Sequence, residues 1–158
     1  MAKIIHDTNA RKVETEMDTS FVFLKEHYEQ KIKQYNEKNI NLENNLANSK
    51  KKSENLTKLR EYSQLEDNWN FEGAKAFSKK LIDLTWDKIG KFEIQPEVFP
   101  TMRESIQFEY EKENGDYLEF EIYEDKIEVF DIINKSENEY TLAVSDDLNN
   151  IVNDFHGI

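Results

Sequence analysis

Regular alternation of apolar and polar residues between residues 106 and 132 is the feature that most limits how this chain can fold. The alternation covers residues 106–111, 118–123 and 127–132, and these segments are separated by Asn114-Gly115 and by Glu124-Asp125-Lys126. A period of two places successive side chains on opposite faces of a β-strand, and Asn-Gly is a strong hairpin signal. The segment therefore predicts a three-stranded antiparallel meander.

Two segments with helical periodicity flank this meander. Residues 74–92 form an amphipathic pattern, and residues 146–155 predict a short helix near the end of the chain. Pro96 and Pro100 predict an extended linker before the first strand. We expect both helices to pack on the apolar face of the sheet, which leaves the opposite, glutamate-rich face in water. The predicted fold class is α+β.

The N-terminal half has a seven-residue repeat that begins at Phe21. The repeat weakens between residues 44 and 53, so we expect a helix from about 20 to 48, a break and a second helix from about 53 to 65, with residues 1–18 as a short arm or weak helix. Such a repeat predicts a seam, either helix-on-helix core in a hairpin or self-association as a coiled coil, which would give a homodimer. The candidate seam residues are Tyr28, Ile32, Tyr35, Asn39, Leu42 and Leu46.

Charge divides the chain into two parts. Residues 1–60 carry a net charge of +3, and residues 61–158 carry −15. We therefore expect a helical region over 1–60 and an acidic α+β domain over 61–158. An acidic domain repels nucleic acid and anionic lipid, so we expect neither direct nucleic-acid binding nor membrane binding by it. It attracts basic proteins instead.

The acid is concentrated in the predicted sheet. Eleven Asp/Glu and two Lys occur between Glu104 and Asp131. One interpretation is a solvated face that discourages aggregation. The other is a surface that imitates the phosphates of a nucleic acid or docks on the basic patch of a nuclease. The expected partner-binding residues are Glu109, Glu111, Glu119, Glu121 and Glu128.

Part of the chain, from about residue 56 to 130, has a recognisable order of motifs. The turn Asn68-Trp69-Asn70-Phe71-Glu72-Gly73-Ala74 is followed by a helix, a linker ending in Phe99-Pro100-Thr101 and a Glu-rich hairpin. This order resembles a group of small bacterial and phage-encoded proteins without an established biochemical activity. Asn70 stands where that group has an acidic residue. The resemblance implies the α+β fold and no catalytic residues, and Trp69 is expected to close one end of the core.

Signs of catalysis are weak in this sequence. There is no cysteine, no phosphate-binding loop and no histidine pair with metal-ligand spacing. Asp116 with Glu124-Asp125-Lys126 loosely matches a magnesium-dependent nuclease pattern, but its predicted turn position and acidic surroundings argue against that role. We expect no cofactor and no metal.

The expected function is a non-catalytic inhibitor of a basic nucleic-acid-binding protein or nuclease, of the anti-CRISPR, antitoxin or immunity type. This setting follows by analogy with small, acidic, cysteine-poor proteins. The alternative is a coiled-coil adaptor or structural protein. The lack of cysteines and of a long apolar N-terminal segment favours a cytoplasmic location.

Overall fold

The computed structural model describes residues 8–158, with side chains described from Phe21 onward. The fold is α+β and forms two units, one ending at Leu46 and a compact one over Ala47–Ile158. The predicted arm at 1–18 lies partly outside the described residues, and helix already begins at Thr8. The described elements, in chain order, are α1 (Thr8–Tyr62), α2 (Lys79–Lys91), β1 (Glu97–Pro100), β2 (Ile106–Glu111), β3 (Tyr117–Ile122), β4 (Ile127–Ile133), β5 (Ser136–Leu142) and α3 (Asn149–His156).

Helix α1 is continuous over 55 residues, so the predicted break between residues 48 and 53 is wrong. Asn and Ser usually weaken a helix because their side chains compete for backbone hydrogen bonds. Asn48 is engaged elsewhere: its Nδ2 donates to the Glu93 carbonyl oxygen at 2.6 Å, and its Oδ1 accepts from the Gln95 N–H at 2.8 Å. Lys51 forms an ion pair at the start of β1. The polar stretch of α1 is therefore bonded to the segment that leads into β1.

The boundary between the two units falls after Leu46, earlier than the predicted boundary at residue 60. The last turns of α1 belong to the compact unit because Asn55 and Leu59 are fully buried there. Asn55 Nδ2 donates to the Pro96 carbonyl oxygen at 2.9 Å. The boundary at residue 60 was predicted from the change in net charge along the chain. The last turns of α1 lie before that change but pack in the compact unit.

One antiparallel sheet contains five strands in the order β1-β2-β3-β4-β5. The three predicted strands are present as β2, β3 and β4, with Phe108 opposite Phe120 and Phe120 opposite Val129. The predicted three-stranded meander is incomplete, since β1 and β5 extend it at its two edges. β1 occupies part of the predicted linker, and Pro100 suits an edge strand because an edge needs fewer N–H donors.

Two of the hairpin turns depend on residues with positive φ. Between β2 and β3, Gly115 has φ of 87°, and its N–H donates to the Lys112 carbonyl oxygen at 2.9 Å. Between β4 and β5, Asn134 and Lys135 have φ of 52° and 68°. Two successive positive φ values are typical of a type I′ turn, usually built from Asn-Gly. A lysine in place of that glycine hides the second hairpin from sequence inspection.

Helices α2 and α3 begin later than the predicted residues 74 and 146. Ser78 caps α2, since its Oγ accepts a hydrogen bond from the Leu81 N–H at 3.1 Å. Before α3, Asp147 Oδ1 accepts from the Asn149 N–H at 3.0 Å, which holds the preceding residues in a turn. Short polar side chains that bond to nearby N–H groups favour caps and turns over helix interiors.

The hydrophobic core lies on one face of the sheet. The helices supply Leu59 from α1, Leu81 and Ile89 from α2, and Val152 and Phe155 from α3. The helices therefore cover the face that alternation assigned to the core. The buried apolar side chains of the strands are Val98, Ile106, Phe108, Tyr110, Leu118, Phe120, Ile122, Ile127 and Val129.

The turn at residues 68–74 is held by side-chain to backbone hydrogen bonds. Asn70 Oδ1 accepts from the N–H groups of Glu72 and Ala74, at 3.0 and 2.9 Å. A carboxylate oxygen accepts the same bonds, so the geometry of this turn suits either Asn or Asp at position 70. The Trp69 ring lies 5.9 Å from that of Phe77, which is part of the core. This agrees with the expectation that Trp69 closes one end of the core.

Candidate functional site

The sheet surface opposite the core carries glutamates from all five strands. In β2 and β3, Glu109 and Glu119 lie directly opposite each other, one position from the buried pair Phe108 and Phe120. Because side chains alternate, these glutamates point away from the core. We call the whole set the glutamate face. It comprises Glu97, Glu109, Glu111, Glu119, Glu121, Glu128, Glu137 and Glu139.

Three of these glutamates form a row across neighbouring strands. Glu97 lies opposite Glu109, and Glu109 lies opposite Glu119. The row continues through Phe130 to Glu139 on β5. Directly opposite residues have Cβ atoms about 5 Å apart, and like charges in such pairs destabilise a sheet. This row of negative charge therefore lowers the stability of the fold instead of contributing to it.

Basic side chains neutralise only part of the glutamate face. Glu97 is paired with Lys51 and with Lys58, the latter at 3.6 Å, and Glu128 is paired with Lys126 at 2.5 Å. Five members have no ion-pair partner among the residues that the structure describes. These are Glu109, Glu111, Glu119, Glu137 and Glu139.

Glu121 differs from the other predicted binding residues because it is buried, with only 5% of its surface exposed. Its two carboxylate oxygens are occupied by the loop between β1 and β2. Ser105 Oγ donates to Oε1, and Arg103 Nη2 pairs with Oε2, both at 2.5 Å. The expectation that Glu121 faces solvent is therefore wrong. Glu109, Glu111, Glu119 and Glu128 retain exposed or half-exposed side chains.

Polar neighbours hold the centre of the row in place. Gln107 Nε2 donates to Glu109 Oε1 at 2.6 Å, and Tyr117 Oη donates to Glu119 Oε2 at 2.8 Å. Partial burial raises the pKa of Glu109, and the charges of Glu119 and Glu111 raise it further, although Tyr117 opposes them. Burial and the bond to Glu119 also raise the pKa of Tyr117. The hydroxyl of Tyr117 therefore stays protonated and remains a hydrogen-bond donor.

Glu109→Gln is expected to raise the free energy of unfolding at pH 7 by about 0.5 kcal/mol, the size of a screened cross-strand charge interaction. The raised pKa of Glu109 means that folding disfavours its charged form, so the penalty is absent below its ordinary pKa of 4.5 and grows as pH rises. Urea unfolding at pH 4 and pH 7 measures the difference, and the gain should vanish at pH 4.

Glu113→Gln is the matched control, because Glu113 is exposed in the β2–β3 loop outside the glutamate face. It removes the same charge, and at pH 7 it should change stability less than Glu109→Gln does. An equal gain for the two variants at pH 7 would point to overall charge instead of the row as the cause.

A shallow depression of about 590 Å³ lies on the glutamate face. Its acidic lining comes from three strands, with Glu119 and Glu121 on β3, Glu128 on β4 and Glu139 on β5. The side of the depression is also lined by Arg103. A concave acidic surface of this kind is suited to a guanidinium or ammonium group, which carboxylates bind through charge-assisted hydrogen bonds.

Sequence inspection missed three members of the glutamate face: Glu97 on β1, and Glu137 and Glu139 on β5. Both edge strands lack the apolar alternation that identified the inner strands, since β5 has no buried side chain. The alternating Glu137, Glu139 and Thr141 would have been the available signal, once Asn134-Lys135 was recognised as a turn.

The predicted seam residues lie on the part of α1 that belongs to the first unit. Asn39 is half-buried, and the others are exposed by 56–73%. No second helix covers them in the described part of the chain, and their role as a helix-on-helix core or as a self-association seam stays a prediction. The seam residues concerned are Tyr28, Ile32, Tyr35, Asn39, Leu42 and Leu46.

The nuclease-like constellation does not come together. Asp116 precedes β3 and Glu124 follows it, so the two carboxylates lie at opposite ends of that strand. Asp116 instead accepts hydrogen bonds from the Asn134 N–H at 2.9 Å and from Asn114 Nδ2 at 2.9 Å. In the described residues there is no cluster of three metal-ligating side chains. The helices of that same part include none with the length and apolarity required to cross a bilayer.

Comparison with known proteins adds no relative on which function could be argued. Searches with protein-family models, among curated proteins and among solved structures gave no match to this chain. The resemblance to small bacterial and phage-encoded proteins therefore remains an expectation from the motifs. What the protein does has to be argued from its own surfaces, the glutamate face and the exposed seam of α1.

Proposed function

We propose that this protein is a non-catalytic inhibitor that binds a basic nucleic-acid-handling protein, such as a nuclease, through its glutamate face. The observation that carries the proposal is the set of five carboxylates on one sheet surface that have no ion-pair partner among the described residues. A nuclease holds its substrate with Lys and Arg side chains directed at phosphates. The glutamate face offers those side chains an alternative set of negative charges.

The spacing of the charges supports the proposal. Neighbouring positions of the row Glu97, Glu109 and Glu119 lie about 5 Å apart across the strands. Duplex DNA carries one negative charge per about 1.7 Å of its axis when both strands are counted, or one per about 3.4 Å along each strand. A two-dimensional array of carboxylates can therefore occupy several phosphate-binding side chains at once. Such a surface gives fast association that weakens as salt is added.

The energetics point in the same direction. Neither Glu109 nor Glu119 has a basic neighbour across its strand, and their mutual repulsion costs stability. A solvated face that served only solubility would gain by mixing lysines into these positions. The settings that fit a small acidic inhibitor are an anti-CRISPR protein, an antitoxin or an immunity protein, by analogy of size and charge.

The triple variant Glu109→Lys, Glu111→Lys, Glu119→Lys tests the proposal. Glu121 is left intact because its bonds to Arg103 and Ser105 support the fold. The assay is DNA or RNA cleavage by a panel of purified nucleases, including CRISPR effectors, with and without the protein. We expect inhibition of at least one member, competition with duplex DNA for that enzyme, and an affinity loss of about 100-fold or more in the variant, close to 2.7 kcal/mol.

A matched control separates the glutamate face from overall charge. Glu61→Lys, Glu66→Lys, Glu72→Lys changes the net charge equally at exposed positions outside the face. It should leave the affinity within a few-fold of the wild type. The proposal fails if no enzyme of the panel is inhibited, or if the face variant binds as the wild type does, with the same dependence on salt.

A coiled-coil adaptor is the second candidate function, and the exposed seam of α1 favours it. In that case the helix binds the partner and the acidic domain keeps the protein in solution. If the protein is an adaptor, Leu42→Glu abolishes partner binding and the triple glutamate-to-lysine variant of the glutamate face leaves it unchanged. If the protein is an inhibitor that binds through the glutamate face, the two variants have the opposite effects.

A further inference from the structure

The first unit exposes more apolar surface than a single helix in water normally retains. Tyr35 is 66% exposed and Leu46 is 73% exposed. Isolated helices are marginal in water, and they gain most of their stability by packing an apolar face. Exposed apolar surface of this extent marks an interaction site.

The exposed residues follow the heptad of a coiled coil. With Ile32 at position a, the a positions are Ile32, Asn39 and Leu46, and the d positions are Tyr28, Tyr35 and Leu42. This period of 3.5 residues holds a seam against one partner helix along its length. Over residues 28–46, the seam has one polar residue, Asn39.

We propose that this seam pairs with the same seam of a second copy of the chain, with the two helices parallel and in register. In that arrangement each a residue faces its own counterpart, so the two Asn39 amides can hydrogen-bond to each other. A single Asn at an a position fixes the register and the two-stranded state at some cost in stability. In an antiparallel pair Asn39 would face an apolar or aromatic d residue.

Charges beside the seam also distinguish the two orientations. The charged g positions are Lys31 and Lys38, and the charged e positions are Glu29 and Glu43. A parallel pair places each g residue near the e residue of the next heptad in the other helix, which brings Lys38 to Glu43 of the partner subunit. An antiparallel pair would place lysines near lysines and glutamates near glutamates.

The charges that would pair between subunits are available for that contact. Within one chain, neither Lys38 nor Glu43 forms an ion pair with any residue that the structure describes. The N-terminal half also carries a net charge of only +3, so two copies repel each other weakly there. The strongly acidic half, at −15, is a much poorer surface for self-association.

Sedimentation equilibrium of the full chain tests the proposal. We expect a mass of twice 18.8 kDa for the wild type at micromolar concentrations. Leu42→Glu should weaken the dimer by about 100-fold, because it places a charge in the apolar seam. Ile40→Glu is the matched control: Ile40 is equally exposed at 56% but occupies position b, so the dimer should persist.

Tryptophan emission from Trp69 and Trp86 verifies that the compact unit is folded in each variant, and the helical circular dichroism signal verifies that α1 is retained. A monomeric wild type over the micromolar range would overturn the proposal. So would equal dissociation by Leu42→Glu and Ile40→Glu, which would indicate nonspecific apolar association.

Disulfide trapping tests the orientation, since the natural chain has no cysteine. Tyr28→Cys and Leu46→Cys lie near the two ends of the seam. In a parallel dimer each variant should cross-link to itself on oxidation, and a mixture of the two should give no mixed product. Mixed Tyr28→Cys/Leu46→Cys cross-links without self cross-links would show an antiparallel pair and contradict the proposal.

Discussion

Arg103→Ala is expected to lower the free energy of unfolding by about 2 kcal/mol at pH 7, somewhat less than the loss of one member of a fully buried ion pair. The Glu121 side chain is 6% exposed and that of Arg103 is 64% exposed. The variant therefore leaves a buried carboxylate that accepts a hydrogen bond from Ser105 but has lost its ion-pair partner. Urea unfolding followed by tryptophan emission measures the loss.

The double variant Arg103→Ala, Glu121→Gln is the control for this interpretation. A neutral amide is cheaper to bury than an unpaired charge, so the second substitution should recover a large part of the lost stability. The buried-charge explanation is wrong if Glu121→Gln recovers nothing. In that case Arg103 stabilises the loop through its packing.

Leu59→Ala is expected to have the largest effect on stability, a loss of about 3 kcal/mol, as for other fully buried leucines. Leu59 is 0% exposed and contacts the core, although it lies on the helix that the charge pattern assigned to a separate region. The measurement is the same urea unfolding experiment. Both tryptophans lie in the compact unit, so their emission reports on that unit and not on the first part of α1.

Ile40→Ala on the same helix is its control. Ile40 is 56% exposed and belongs to the first unit, so this truncation should change stability by about 0.5 kcal/mol or less. If Leu59→Ala costs no more than Ile40→Ala, the last turns of α1 are not part of the compact unit and the predicted boundary at residue 60 stands.

Much of the sheet could be predicted because its inner strands are buried on one side only. Burial of one face forces the alternation that identifies β2, β3 and β4, and Gly115 supplies the positive φ that their first turn requires. The edge strands could not be found in the same way. β5 buries none of its side chains fully, and its turn uses Asn134-Lys135. β1 is short and ends in Pro100.

The candidate site, like the sheet, could be predicted only in part. Alternation placed Glu109, Glu111, Glu119 and Glu128 on the outer face, because it depends only on neighbours within a strand. It could not show that Glu121 is buried, since the residues that cover it come from a loop. The conformation of that loop depends on Glu104, which has φ of 59°. A glutamate rarely adopts a positive φ, so this conformation could not be predicted from the sequence.

The prediction of a break in helix α1 was wrong for a related reason. Local propensity favoured a break at the Asn-, Ser- and Lys-rich stretch. Tertiary contacts of Asn48, Lys51 and Lys52 with the sheet domain outweigh that preference, and Lys52 Nζ donates to the Gly90 carbonyl oxygen at 2.5 Å. Such contacts join residues about 40 positions apart, which no local pattern contains.

The one-sided burial of the sheet has a consequence for how this protein can evolve. Inner-face side chains such as Phe108 and Phe120 are enclosed on all sides, so mutations there are removed because they unfold the chain. The outward-facing side chains of β5, such as Glu137 and Glu139, are free of that constraint, and exchanges among them cost little. Lineages can therefore alter the charge and shape of the outer surface quickly while the scaffold stays constant. Selection for a new partner then proceeds almost independently of selection for folding.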